Sequence, residues 1–413
     1  MNGLLTVSMI VKNEERFLPE CLASVKDVAD EIIVVDTGST DRTIEIAKSF
    51  GARVIEIEWP NDFSVARNVG LDAVKTPWVL ILDADEELLA DDLPKLQQAL
   101  ETPIGDGYNL RIVSVMDRAE DISESYVTRL VRAHPKIRFS GAIHEQLFPA
   151  LQGLGMTIQP LDVRLIHKGY LGAVVHAKDK GNRNLDLIQT HLKKTPDDAY
   201  MRWQLAQTLL GLGRYQEAIA GCRTALKLIQ IDNPLWVLIQ YTYARVLELS
   251  GQPKRAIRAL REGEMAFPAY TDFYYLEGNI HMHLGQWPQA ETKFRKCLEL
   301  GEPKGFLMTE TGIGGFKSLY RLSQVLHAQE KLKEALATLL VAIGKNPPFR
   351  EAWQGIFTIL AGSNIHAVLD AILMSVPMDT VIATISQWPD RNINEQNLLK
   401  AAQERVAASQ QSQ

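Results

Sequence analysis

A chain of 413 residues has room for two domains, and 46% apolar against 23% charged residues is the balance of a globular protein with a sizeable core in each. The net charge of −6 argues against a nucleic-acid partner held by a broad basic surface. No run approaches the ~18 apolar residues of a membrane span. The three cysteines, Cys21, Cys222 and Cys297, are odd in number, scattered and without metal spacing, so they read as small core residues in a reducing compartment. The amino terminus has neither a basic region nor a long apolar segment, so no signal peptide is expected. The expected setting is the cytoplasm, with peripheral membrane contact left open.

In chain order, residues 4–11 are strand-like, and Lys12-Asn13-Glu14-Glu15 ends the strand and opens a helix through Leu18, Cys21, Leu22 and Val25. Residues 31–36 form a second buried strand, after which Thr37-Gly38-Ser39-Thr40-Asp41 turns the chain and caps a helix through Ile44 and Ala47. Residues 53–58 read as a third strand, and 63–71 as a helix carrying Arg67 and Asn68. Alternation at this spacing implies parallel strands with right-handed crossovers.

Trp78-Val-Leu-Ile-Leu82 is an apolar run short enough for a strand buried on both faces, and Asp83-Ala84-Asp85-Glu86-Glu87 stops it. In an open α/β sheet the carboxyl ends of the strands face the ligand crevice, so Asp36 and the Asp83/Asp85 pair are expected there. Carboxylates at i and i+2 suit Mg²⁺ or Mn²⁺, ions that also bind diphosphates. The plainer alternative is that both aspartates end a strand and cap the next helix. Arg67 and Asn68 read either as surface residues or as contacts to phosphate or base.

Farther on, 93–100 is an amphipathic helix and 108–115 an alternating strand. Gly141-Ala-Ile143-His144-Glu145 then delivers two titratable groups at the start of an apolar segment. Of the two, Glu145 is the candidate general base. The alternative is that Glu145 pairs with Arg129, Arg132 or Arg138. His144 could orient Glu145, bind phosphate or pack. His167 ends a strand and could lend nitrogen to a metal otherwise held by oxygen, or be structural. Lys168, Lys178, Lys180 and Arg183 read as a diphosphate clamp or a solvated face.

Val7-Ser-Met-Ile-Val11-Lys-Asn-Glu14, Ile33-Val-Val-Asp36-Thr-Gly38-Ser39-Thr-Asp41, Ala66-Arg67-Asn68-Val-Gly70 and Leu82-Asp83-Ala84-Asp85-Glu86 together resemble family 2 glycosyltransferases of the GT-A fold, over roughly residues 4–170. The resemblance implies a nucleotide-sugar donor, a UDP-sugar above others, and an inverting, metal-dependent transfer. It further implies that Asp36 contacts the base, that Asp83 reaches the ribose or metal side, and that Asp85 ligates the metal, with His167 a metal or diphosphate ligand. The nucleotide slot is implied to be lined by backbone from Ser8 to Val11, and Arg67 and Ala84 are counted with the donor site. Gly-x-Ile-His-Glu stands at the same place in the most similar subset, which adds to the case for Glu145. Where many members carry a second acid, this chain has Thr37.

From Tyr200 the pattern changes to helix pairs. Ala206, Gly213, Ala218 and Ala225 align with Ala244, Gly251, Ala256 and Gly263, and with Gly278, Gly285, Ala290 and Cys297, each set at offsets of 7, 12 and 19. A looser fourth copy fits Ser323, Glu330, Ala335 and Ala342, preceded by an insertion over 301–315 that breaks the period. Small residues stand where helices must approach, glycine at the turn between them; the pattern resembles tetratricopeptide repeats. The expected layout is an α/β GT-A domain over 1–175, a connecting helix over 176–198, all-α repeats over 199–349, and a helical cap with a disordered polar tail after Ala407 over 350–413. A solenoid offers a surface but no chemistry, so the repeats are expected to hold a peptide or protein acceptor or to pair two copies of the chain. Lipid-linked and cell-envelope glycans are the other acceptors the resemblance allows. The rivals are a repeat scaffold whose transferase domain has lost activity, and a nucleotidyltransferase, for which the glycine-rich basic loop is missing.

Overall fold

The structure is a computed structural model that describes residues 3–115, 122–168, 177–302 and 309–411. The chain divides into two compact units, Met1–Leu212 and Gly213–Gln413.

Among its described residues the first unit is built on eight strands: β1 (Leu5–Val11), β2 (Glu31–Asp36), β3 (Arg53–Glu56), β4 (Trp78–Ile81), β5 (Glu86–Leu88), β6 (Gly107–Val115), β7 (Ile122–Arg132) and β8 (Ile158–His167). They form one sheet in the order β3-β2-β1-β4-β7-β6-β8-β5. The first four are mutually parallel, as the strand-helix alternation requires, while β7 runs antiparallel to both β4 and β6. Strands β1 and β4 are apolar throughout or nearly so because both faces are covered. Leu5, Val7, Met9 and Val11 pack with Leu18, Leu22 and Val25 of α1 (Leu18–Val25), and α2 (Thr43–Ser49) flanks β3. On the other face, α3 (Phe63–Ala73) lies against β1 and β2, where Gly70 allows the approach: a Cβ there would stand 2.4 Å from the Ser8 hydroxyl.

Two expectations are corrected. The third strand stops at Glu56 rather than 58, and Glu86 and Glu87, read as acids that merely halt a strand, form β5 with Leu88 and pair antiparallel with β8. Between β5 and β6 lies α4 (Leu93–Glu101), and between β7 and β8 lies α5 (Phe148–Gly153). The unit closes with α6 (Ala177–Lys194) and α7 (Ala199–Gly211).

The second unit is helical throughout its described residues. Its repeat helices are Tyr215–Leu228, Pro234–Leu249, Pro253–Ala266, Thr271–His283, Trp287–Leu300, Phe316–Ala328 and Leu332–Lys345. The aligned small residues carry the packing: Ala218, Ala225, Ala244, Ala256, Ala290, Cys297, Ala335 and Ala342 have no more than 0% exposure. The aligned turn positions Gly213, Gly251 and Gly285 all have positive φ, between 68° and 76°, and Glu330 of the fourth copy takes the same conformation at 61°. All three cysteines are free and buried. Four further helices follow, and the last, Ile393–Gln411, carries the polar tail four residues past Ala407 as helix, because alanine and glutamine favour helix without needing partners. Residues 303–308 of the insertion and 412–413 lie outside the described residues. Among the described residues, no single helix is long and apolar enough to cross a membrane.

Candidate active site

The register levels the strand ends. Val11 pairs with Asp36, and Ser8 with Ile81, so Asp36 closes β2 while Asp83 stands just beyond β4 on the same edge. β1 lies between them, which sets the two acids about 10 Å apart across two strand spacings.

Asp36 is 2% exposed. Its Oδ1 accepts from the Gly38 and Ser39 amides, both at 2.9 Å, whereas Oδ2 is buried without a partner. A buried acceptor left unpaired is costly unless a ligand donor meets it. Val11 is buried, and its carbonyl accepts from both the amide and the hydroxyl of Thr37, at 3.0 and 3.1 Å. Thr37 thus ties the carboxyl ends of β1 and β2 together, at the position where many family members carry a second acid.

At the centre is a chain of charges. Arg67 is 9% exposed on α3, beside Ser64 and Gly70 on the face turned to the sheet. Its Nε donates to Glu145 and its Nη2 to Asp83 Oδ1 at 2.6 Å, with the guanidinium 5.5 Å from the Phe139 ring centre. Arg129, on β7, donates through Nη2 to Asp83 Oδ2 at 2.7 Å and to Glu86 at 2.6 Å, and Glu86 accepts the Asp83 amide at 2.9 Å. Burial alone would raise the Asp83 carboxyl, but Arg129 and Arg67 outweigh it and hold the group well below the usual carboxylate range. Burial pushes Glu86 up, and the pull of Arg129 does not cancel it. Glu145 therefore pairs with none of Arg129, Arg132 and Arg138. Arg132 faces Asp106 and Arg138 faces Asp72.

Asp85 and His167 meet because β5 pairs with β8 in the register Glu86↔His167. The Asp85 Oδ2 lies 3.2 Å from His167 Nε2, and Ser114 Oγ lies 3.5 Å from Nδ1. The hydrogen bond to Asp85 holds the imidazole pKa above its ordinary value. No cluster of three or more ligating side chains exists among the described residues. The pair supplies one oxygen and one nitrogen, a donor set that fits a Mg²⁺ or Mn²⁺ completing its shell with diphosphate and water. Ala84 between the acids is buried. Lys168 pairs with Glu20 at 2.6 Å and Glu87 at 2.5 Å, and Arg183 lies over Phe63. The side chains of Lys178 and Lys180, and Gly169 and Tyr170, lie outside the described residues.

The loop carrying His144 and Glu145 is closed by reciprocal hydrogen bonds between Ser140 and Gln146, 3.0 and 2.9 Å. Gly141 at φ 100° and His144 at φ 52° make the turn, and the His144 ring is exposed. Ile143 anchors the loop against Leu187 and Ile188 of α6, Met201 of α7, and Trp59 and Phe63. The Tyr200 hydroxyl donates to the His144 carbonyl at 3.1 Å and accepts from Gln146 Nε2 at 2.8 Å. Tyr200, Arg129 and Glu86 were not legible as site residues.

An open α/β sheet with acids gathered at its carboxyl edge and a histidine beside one of them, followed in sequence by a helical repeat array, has the layout of a GT-A-type fold followed by a solenoid. Residues 6–109 match Glycosyl transferase family 2 and residues 185–232 match Tetratricopeptide repeat. The chain thus carries a family 2 glycosyltransferase domain followed by tetratricopeptide repeats. It is 35% identical to a TPR repeat-containing protein of Synechococcus elongatus, over 54% of this chain and 56% of the relative. It is 29% identical to the SPbeta prophage-derived glycosyltransferase SunS of Bacillus subtilis, over 52% of this chain and 51% of the relative. The chain spans about half the length of these curated relatives. Among solved structures, S. aureus TarS 1-349 in complex with UDP-GlcNAc aligns at a TM-score of 0.40 and 16% identity, over 63% of this chain and 92% of that one.

Proposed function

We propose that this protein is an inverting glycosyltransferase that moves a sugar from a UDP-sugar to a polypeptide acceptor. The observation that carries this reading is that Glu145, the candidate base, and Asp83, beside the Asp85/His167 pair, are held by one guanidinium at the ligand edge of the sheet. Asp36, with one buried acceptor oxygen unpaired, is suited to an N–H of the nucleoside base.

In the step itself the Glu145 carboxylate takes the acceptor's hydroxyl or thiol proton as the oxygen or sulfur bonds to the anomeric carbon. Attack comes from the face opposite the diphosphate, the anomeric carbon–oxygen bond breaks, and its electron pair stays on the departing UDP. Asp85 and His167 would hold a divalent cation, which supplies positive charge to the leaving diphosphate. Arg67 keeps Glu145 directed at the acceptor. The polypeptide acceptor rests on the repeats, which provide an extended surface of the kind that binds chains.

The test is UDP release from a panel of UDP-sugars with candidate peptides, comparing wild type with Glu145→Gln and reading the product's anomeric configuration by NMR. Inverted product from wild type, and loss of transfer in E145Q with UDP binding kept, is expected. A wild type that binds no UDP-sugar would leave a repeat scaffold; retained configuration would refute the single displacement.

A further inference from the structure

We propose that Asp83 is a positioning residue for the transfer rather than a contact to the nucleotide: its carboxylate fixes Arg67, and Arg67 fixes Glu145. Both Asp83 oxygens are already engaged, Oδ1 by Arg67 at 2.6 Å and Oδ2 by Arg129 at 2.7 Å, and its backbone amide is bonded to Glu86 at 2.9 Å. With each oxygen already paired to a guanidinium, a ribose hydroxyl could add only a second, weaker hydrogen bond to a side chain that is 31% exposed.

Arg67 is suited to relay the position. Its guanidinium is planar and its donors form a rigid fork, so fixing Nη2 on Asp83 fixes the direction of Nε, which donates to Glu145. Among the described residues, no other side chain hydrogen-bonds the Glu145 carboxylate. Glu145 comes from a turn closed at Ser140 and Gln146, whereas Asp83 follows a central strand and is braced by Arg129 from β7. The sheet end thereby dictates where the carboxylate carried by the turn stands.

The inference rests on the glycosyltransferase reading, so its test has one arm that needs activity and one that does not. In the first, Asp83→Asn, Glu145→Gln and the double variant are compared for kcat, donor KM and UDP binding. D83N is expected to lower kcat roughly 10- to 100-fold, as loss of a supporting partner does, with donor KM and UDP affinity unchanged. It is expected to add nothing to the loss already caused by E145Q. A rise in donor KM at constant kcat, or multiplying losses in the double variant, would overturn the proposal. Because D83N also removes one of the two carboxylates on Arg129, Arg67→Ala serves as a second variant, with guanidinium ion expected to restore kcat in R67A and not in E145Q; binding of UDP without such rescue would count against it. In the second arm, hydrogen exchange of the Ser140 and Gln146 amides is expected to quicken in D83N and R67A. Unchanged exchange would defeat the positioning role even if the wild type transfers no sugar.

Discussion

Replacing Arg129 with methionine should destabilise the first unit strongly, and the size follows from what the guanidinium holds. It stands 2.6 Å from Glu86 and 2.7 Å from Asp83, with Glu86 at 2% side-chain exposure and Arg129 at 13%. Methionine replaces much of the arginine stem, so the loss is mainly electrostatic. Glu86 is then left buried without a cation, and Asp83 keeps Arg67 alone. Removing one partner of such a pair costs about 3–5 kcal/mol. Native-state hydrogen exchange on peptides covering β4 and β7 measures this directly. Opening in R129M should be more populated by roughly two to three and a half decades. Adding Glu86→Gln removes the stranded charge while an amide oxygen can still accept the Asp83 N–H, so the double variant should recover most of the loss. Less than a tenfold change in R129M, or no recovery in the double variant, would refute the reasoning.

Tyr200→Phe removes a hydroxyl that holds the Glu145 turn by two hydrogen bonds, about 1–2 kcal/mol of local stability, so kcat should fall by up to about 30-fold with donor KM unchanged; a change in KM alone would contradict it. Gly263→Ala would put a Cβ 2.6 Å from the fully buried Phe273 ring, which costs about 1–3 kcal/mol of repeat-unit stability, read as a lower melting temperature with UDP binding intact. Asp272 is pushed up to about 7 by its burial, from an ordinary 3.8. A carboxyl raised in the folded state contributes stability that is complete below about pH 4 and is lost as pH rises through about 7, at most roughly 4 kcal/mol. Asp272→Asn keeps the oxygen that accepts the Glu310 amide, so it should melt above wild type at pH 8 and level with it near pH 4. A gap constant with pH would count against that origin.

The parallel half of the sheet was readable because β1, β2 and β4 are short, largely apolar runs that end in polar residues, which puts Asp36 and Asp83 on one edge. The repeats were readable because one small-residue spacing recurs; the positive φ shared by Gly213, Gly251, Gly285 and Glu330 is its structural counterpart. The charge chain was not readable. Which arginine meets which acid depends on β7 running antiparallel beside β4 and on the 140–146 turn folding back over α3, both long-range outcomes. Arg67 looked like a residue available to phosphate because helical periodicity gives no sign of a buried cation until its carboxylates are known. The backing of the Glu145 turn by α6 and α7 was hidden for the same reason, since Tyr200 stands at the start of the repeats in sequence and at the site in space.

The central claim is that Asp85 and His167 hold a divalent cation on a nucleoside diphosphate. Calorimetric titration of UDP into the full chain, with Mn²⁺ and with EDTA, compares wild type, Asp85→Ala and His167→Ala. The account predicts UDP binding to wild type that depends on Mn²⁺ and loses that dependence in D85A. Equal affinity with and without Mn²⁺, or Mn²⁺-dependent binding undiminished in D85A, would contradict it.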